Sequence, residues 1–326
     1  MGLVLSLLLF PLRASVAEPV SDVTGTTSRS DALNGFVLDG ALVPPEKIVR
    51  GMERDGVRSV DEPRFSDLEA AQRWVAPDTV ILGVSVKGDS RAYPEHLLDF
   101  HQVINDEVGG VPIVVFWDPI AGLPMAFERK VDVRILNFGV AGLIYQSHCL
   151  LYDGETKSVW FPQKGQAIAG PLAGQKLKRI SLRKEPLGAW VREHPDTRVL
   201  DRPFLTKIDY RYSPFSTHWV SEKLPYPVDH TDSRFHPKDL VLGVEYPGGS
   251  KAYLGSLLTE AGGRVVDQIK GQTVRIAYDS DTASFQSEVP SSFGSYESYW
   301  FAWKTLHPDT EVWEGLQPLR QPKGAE

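Results

Sequence analysis

Cys149 is the only cysteine in this 326-residue chain. No intramolecular disulfide can form, so the fold must rest on a packed core rather than on cross-links. A lone thiol in an oxidising compartment is usually buried and inert. Positive charge is also scarce, with 35 Lys and Arg against 42 Asp and Glu. The net charge of −7 argues against nucleic acid or an anionic membrane surface as the main partner. The mature chain contains no membrane span, because its one N-terminal apolar run is too short to cross a bilayer. A phosphate loop, a dinucleotide fingerprint, a GxSxG elbow, and HxH or HExxH metal spacings are all missing. Nothing identifies a protein partner.

What is present is enough for a proper core, with 42% hydrophobic and 10% aromatic residues. At the N-terminus the apolar run Leu3 to Phe10 is followed by Ser15-Val16-Ala17, small residues where a signal peptidase cuts. Residues 1–17 are therefore expected to be a signal peptide, despite the missing positive n-region, and the protein to be periplasmic or secreted. Residues 18–40, rich in Ser, Thr, Asp and Gly, read as a flexible leader.

Two stretches repeat each other. DTVILGVSVKGDSRAYP (78–94) matches KDLVLGVEYPGGSKAYL (238–254), with Leu82 and Leu242, like Ala92 and Ala252, 160 positions apart. VINDEVGGVPIVVFWD pairs with VVDQIKGQTVRIAYD, and WVREHPDTRV with WKTLHPDTEV. Self-similarity at fixed spacing marks a duplicated structural unit. Each copy reads as hairpin, short helix, hairpin, with glycines at the turns. A β-like insert at 138–182 belongs to the first copy alone. The expectation is a β-rich α+β fold of two related lobes, 41–200 with the insert and 201–326. Between 42 and 75 the pattern reads as helical, with Pro44-Pro45 opening one helix through Met52 and Ser66 capping another. Pro186 opens a helix over Leu187 to Glu193.

SRAYP, HQVINDEVGG, FGVAGLIYQS, LLYDGETKSVW, QKGQAIAGPLAG and WVREHPDTRVL follow in order. In these the chain resembles the bacterial and archaeal family called domain of unknown function 3179, over about residues 75–290. The resemblance implies export and no established activity. Where the family carries Cys-Pro-Leu-Cys-Gly, this chain has Asp118-Pro119-Ile120-Ala121-Gly122. Disulfide exchange or soft-metal binding through that motif is therefore lost.

Residues that one copy has and the other lacks are the better candidates for chemistry. His101 has no counterpart and suits proton transfer or metal ligation, with Asp106 or Asp118 as its orienting or acidic partner. A structural His satisfied in a loop is an equal alternative. Arg91 and Tyr93 could hold a carboxylate, although Lys251 and Tyr253 replace them in the second copy, which favours a structural role. Arg129, His148, Asp153, Trp160 and Gln163 complete the candidate ligand site, with Trp160 available to stack a sugar or aromatic group. His101, His148 and Asp118 would make a mixed N/O set for a divalent metal, yet no local spacing fixes them together. The cofactor is thus unknown. The leading expectation is an exported ligand-binding or accessory protein taking a small molecule or glycan at a polar pocket on the first lobe. The alternatives are an extracytoplasmic hydrolase or lyase using His101, and a non-catalytic structural member of its family.

Overall fold

The computed structural model describes residues 33–202 and 208–315. The expected signal peptide and residues 18–32 of the expected leader lie outside the described residues. Residues 33–40 do not behave as a free linker. Phe36 is buried, and Asn34 Nδ2 donates to the carbonyls of Met52 (3.0 Å) and Ala141 (2.7 Å).

Strand accounts for 41% of the chain and helix for 15%, so the β-rich expectation holds. Five small sheets are arranged as a five-bladed propeller. Blade 1 orders its strands Arg183–Pro186, Val80–Val86, Asp89–Pro94, Arg198–Leu200, Phe65–Ser66. Blade 2 is the meander Val103–Val108, Val111–Asp118, Leu123–Glu128. Blade 3 joins Ile48–Arg50 to Phe138–Tyr145, His148–Asp153, Val159–Phe161 and Gln166–Ala169. Blade 4 orders Gly294–Tyr299, Leu240–Tyr246, Gly249–Leu254, Glu311–Val312, and blade 5 is the meander Arg264–Ile269, Gln272–Asp279, Ser284–Glu288. The described residues pack into one compact unit. The physical reason is a shared core: one apolar cluster contains Phe116 and Trp160 as well as Trp300 and Trp303.

The repeated sequence words have repeated physical jobs. In blade 1 Gly83 lies opposite Ala92, and in blade 4 Gly243 lies opposite Ala252. Each glycine makes room for an indole: an added Cβ would come within 2.6 Å of the Trp190 ring or 2.0 Å of the Trp303 ring. Those tryptophans sit on the helices Leu187–Glu193 and Trp300–Leu306. Their Nε1 groups donate to Thr197 Oγ1 (2.9 Å) and Thr310 Oγ1 (3.0 Å), and His194 and His307 lie 3.8 and 3.9 Å from the rings. The HPDT word is therefore a clamp on a buried indole. The strand that follows each HPDT word then pairs in parallel with the blade's hairpin.

Several local expectations need correction. Pro45–Lys47 is a single 3-10 turn that passes directly into the strand Ile48–Arg50, because Ile48 is drawn into the edge of blade 3. Asp67, not Ser66, caps the helix Leu68–Ala71, accepting the Ala70 amide at 2.8 Å. Each second hairpin gains a third strand, Leu123–Glu128 or Ser284–Glu288. The helix Leu187–Glu193 forms as expected, with Pro186 at its cap position and the Leu187 amide bound to the Thr79 carbonyl at 2.9 Å.

Candidate active-site cluster

The structure distributes the sequence-derived candidates over several sites instead of one pocket. Tyr93 Oη donates to Asp106 Oδ2 at 2.6 Å, and Arg91 lies beside that carboxylate at 4.0 Å while bonding Asp89. Blade 4 and blade 5 repeat the arrangement with Tyr253, Lys251 and Asp267, at 2.7 and 2.6 Å. A triad built twice is a fold device, tying a hairpin to the meander that follows.

His101 does not meet Asp106 or Asp118. Its Nδ1 lies 3.0 Å from the Arg58 carbonyl and its Nε2 2.8 Å from Tyr210 Oη, and burial lowers its pKa. Asp118 is fully buried in a turn, accepting the amides of Ile120 (3.0 Å), Ala121 (3.2 Å) and Cys149 (2.8 Å). Asp279 makes the same turn, accepting Asp281 and Thr282 amides at 2.9 and 3.3 Å. Burial, reinforced by Asp118, pushes the Cys149 thiol well up, so it is inert as expected of a lone buried cysteine.

His148 is buried with Nδ1 against the Gln146 carbonyl at 2.8 Å, and burial lowers its pKa although Asp118 pulls it up. Among the described residues no group of three or more His, Cys, Asp or Glu is arranged to hold a metal ion, so the His101, His148 and Asp118 set is not gathered. Arg129 braces the carbonyl of Leu136 and the Asn137 side chain. Trp160 is not a stacking platform: its Nε1 donates to Asp153 at 2.9 Å and its ring packs on Phe138 in the core. Gln163 Nε2 donates to Tyr296 Oη at 2.5 Å, leaving its buried Oε1 unpaired.

A different cluster concentrates buried charge. Lys184 lies opposite Leu82 in blade 1, and Glu297 lies opposite Leu242 in blade 4, the same register in the two related blades. Glu95 opens the helix Glu95–His101, and Asp99 follows one turn later on the same face. Lys184 Nζ approaches Glu95 Oε2 at 3.5 Å, the long end of a hydrogen bond, and lies 5.4 Å from the Trp117 ring centroid. Trp117 Nε1 donates to Asp99 Oδ1 at 2.9 Å. Glu297 Oε2 accepts no hydrogen bond, and Glu95 Oε2 has only its long contact with Lys184.

Three carboxylates facing one ammonium shift each other's protonation. Burial raises Asp99 to about 6, against the pull of Trp117. Burial raises Glu297 to about 7, with Lys184 opposing and Glu95 adding to the rise. Burial alone would lower Lys184, but Glu95 and Glu297 outweigh it and hold the ammonium charged.

Two clefts reach this cluster. Lys184 and Glu297 line a cleft of about 980 Å³ that also exposes Arg179, Arg264 and Tyr296. Glu95 and Asp99 line a second of about 480 Å³ with His96, Tyr210 and Ser213. Ligand sites commonly fall within this size range and carry a few convergent polar groups.

A family model described as "Protein of unknown function (DUF3179)" matches residues 54–310. The chain belongs to this family. No curated protein and no solved structure matches it. In this DUF3179 member the cluster was hidden from motif reading, because its residues come from three separate stretches of chain. One signal was available: Glu95, the first residue after RAYP, has Gly255 as its counterpart after KAYL.

Proposed function

We propose that this DUF3179 member is an exported ligand-binding protein whose site is the cleft floored by Lys184 and Glu297. Glu297 carries the argument. It is only 8% exposed, one of its oxygens is unpaired, and it lies on the wall of a large cleft. An orphaned buried acceptor costs stability, and a donor arriving from the cleft removes that cost. The export part of the reading is supported by the apolar run and small residues of 1–17. The matching registers of blades 1 and 4 support the further reading that the chain descends from a duplicated unit. A specific observation favours a second reading, an acid–base enzyme. Asp99 at about 6 and Glu297 at about 7 are poised for proton transfer near neutrality, in the role first expected of His101.

The test is a thermal-shift screen of the mature protein against small sugars, amines, carboxylates and zwitterions, run beside Glu297→Gln. A compound that raises the melting temperature of wild type and loses that effect in the variant supports the site. Stabilisation that survives the substitution places the site elsewhere. No stabilising compound at all favours a structural member of the family. Export is tested by mass spectrometry of the native protein: a first residue near Glu18 supports it, and an intact Met1–Ala17 ends it.

A further inference from the structure

Resting on that reading, we infer that the cleft takes a zwitterion, a small molecule with an ammonium group at one end and a carboxylate at the other. The floor sets the first requirement. Glu297 and Lys184 lie there, and Lys184 is already paired with Glu95, which lines the neighbouring cleft. The unpaired atom on this floor, Glu297 Oε2, is a buried acceptor. An anion gains nothing from it, and a hydroxyl offers one donor. An ammonium offers three donors and the opposite charge.

The same cleft imposes the second requirement. Four arginines line it, and two of them are already committed: Arg183 to Glu185 and Glu193, and Arg275 to Glu288. The other two bind no carboxylate among the described residues. Arg179 donates to the carbonyls of Gln163 (3.2 Å) and Ser295 (3.5 Å), and its guanidinium lies 5.5 Å from the Tyr296 ring centroid. Arg264 is exposed at the start of its strand and makes no ion pair. A guanidinium fork matches a carboxylate in plane and spacing. A buried carboxylate acceptor on the floor and uncommitted forks in the same cleft therefore match a ligand with both charges.

The experiment is isothermal titration of the full chain with β-alanine, 6-aminohexanoate, hexylamine and hexanoate. At least one zwitterion should bind about tenfold or more tightly than either singly charged compound, since a second charge-assisted contact contributes at least that factor. Glu297→Gln should weaken the zwitterion and hexylamine and leave hexanoate unchanged. Arg264→Ala, at an exposed position where folding is not at risk, should weaken the zwitterion and hexanoate and leave hexylamine unchanged. Equal affinity for all four compounds overturns the inference, as does indifference of the zwitterion to both substitutions. If the screen instead finds a neutral ligand lost in Glu297→Gln while no zwitterion binds, the inference fails and the cleft remains the site. If none of the four binds and the wider screen also finds no ligand lost in Glu297→Gln, both readings fail.

Discussion

Replacing Glu297 with glutamine keeps the shape of the side chain and removes its charge. Burial holds the wild-type carboxyl at about 7 against an ordinary 4.5, with Lys184 pulling it down, Glu95 pushing it up and the Phe285 amide bonding it. A folded value above the unfolded one means that the folded chain holds the proton more tightly across that window. The stability associated with the protonated form is therefore fully present below about 4.5 and lost as pH rises through about 7. Roughly 2.5 pH units at about 1.4 kcal/mol each come to about 3 kcal/mol. Asp99, raised by burial to about 6, acts in the same direction in both proteins, so comparing them removes most of its contribution. Urea denaturation at pH 5 and pH 8 reads the difference. Glu297→Gln should gain about 2–3 kcal/mol on wild type between the two pH values. A difference that stays constant with pH would mean that Glu297 titrates as an ordinary exposed glutamate, and the charged cluster described above would be wrong.

Other substitutions test the frame around the cluster. Gly243→Ala puts a Cβ 2.0 Å from the Trp303 ring and should cost about 3 kcal/mol or more in chemical denaturation; Gly83→Ala, at 2.6 Å from Trp190, should cost less. His101→Ala removes two hydrogen bonds in a buried setting and should cost about 2 kcal/mol while leaving ligand binding intact, which a calorimetric titration would show. Cys149 should resist a thiol reagent in the native protein and react fully once unfolded; rapid native labelling would contradict its burial against Asp118.

The sequence revealed local grammar well and closure poorly. The hairpins around Lys87-Gly88 and Pro247-Gly248, and the helices after RAYP and KAYL, follow from turn chemistry and alternation. The third strands, Leu123–Glu128 and Ser284–Glu288, gave no turn signal as clear. Five blades were not legible, because blade 1 recruits Arg183–Pro186 from far along the chain and blade 3 recruits Ile48–Arg50 from before the repeat. His101 differs between the copies, yet its ring is absorbed by local hydrogen bonds to Arg58 and Tyr210. Glu95 against Gly255 also differs between the copies, and in the folded chain the opposed charges Lys184 and Glu297 share one register. Reading that register requires knowing which strand pairs with LGV, and only the fold supplies it.

The most direct measurement of the central claim is a crystal structure of the full chain with the tightest compound from the screen. The account predicts that the ligand occupies the cleft between Lys184 and Glu297, with a donor within hydrogen-bond distance of Glu297 Oε2. A ligand bound beside His101 and Tyr210, with the Glu297 carboxylate untouched, would contradict it.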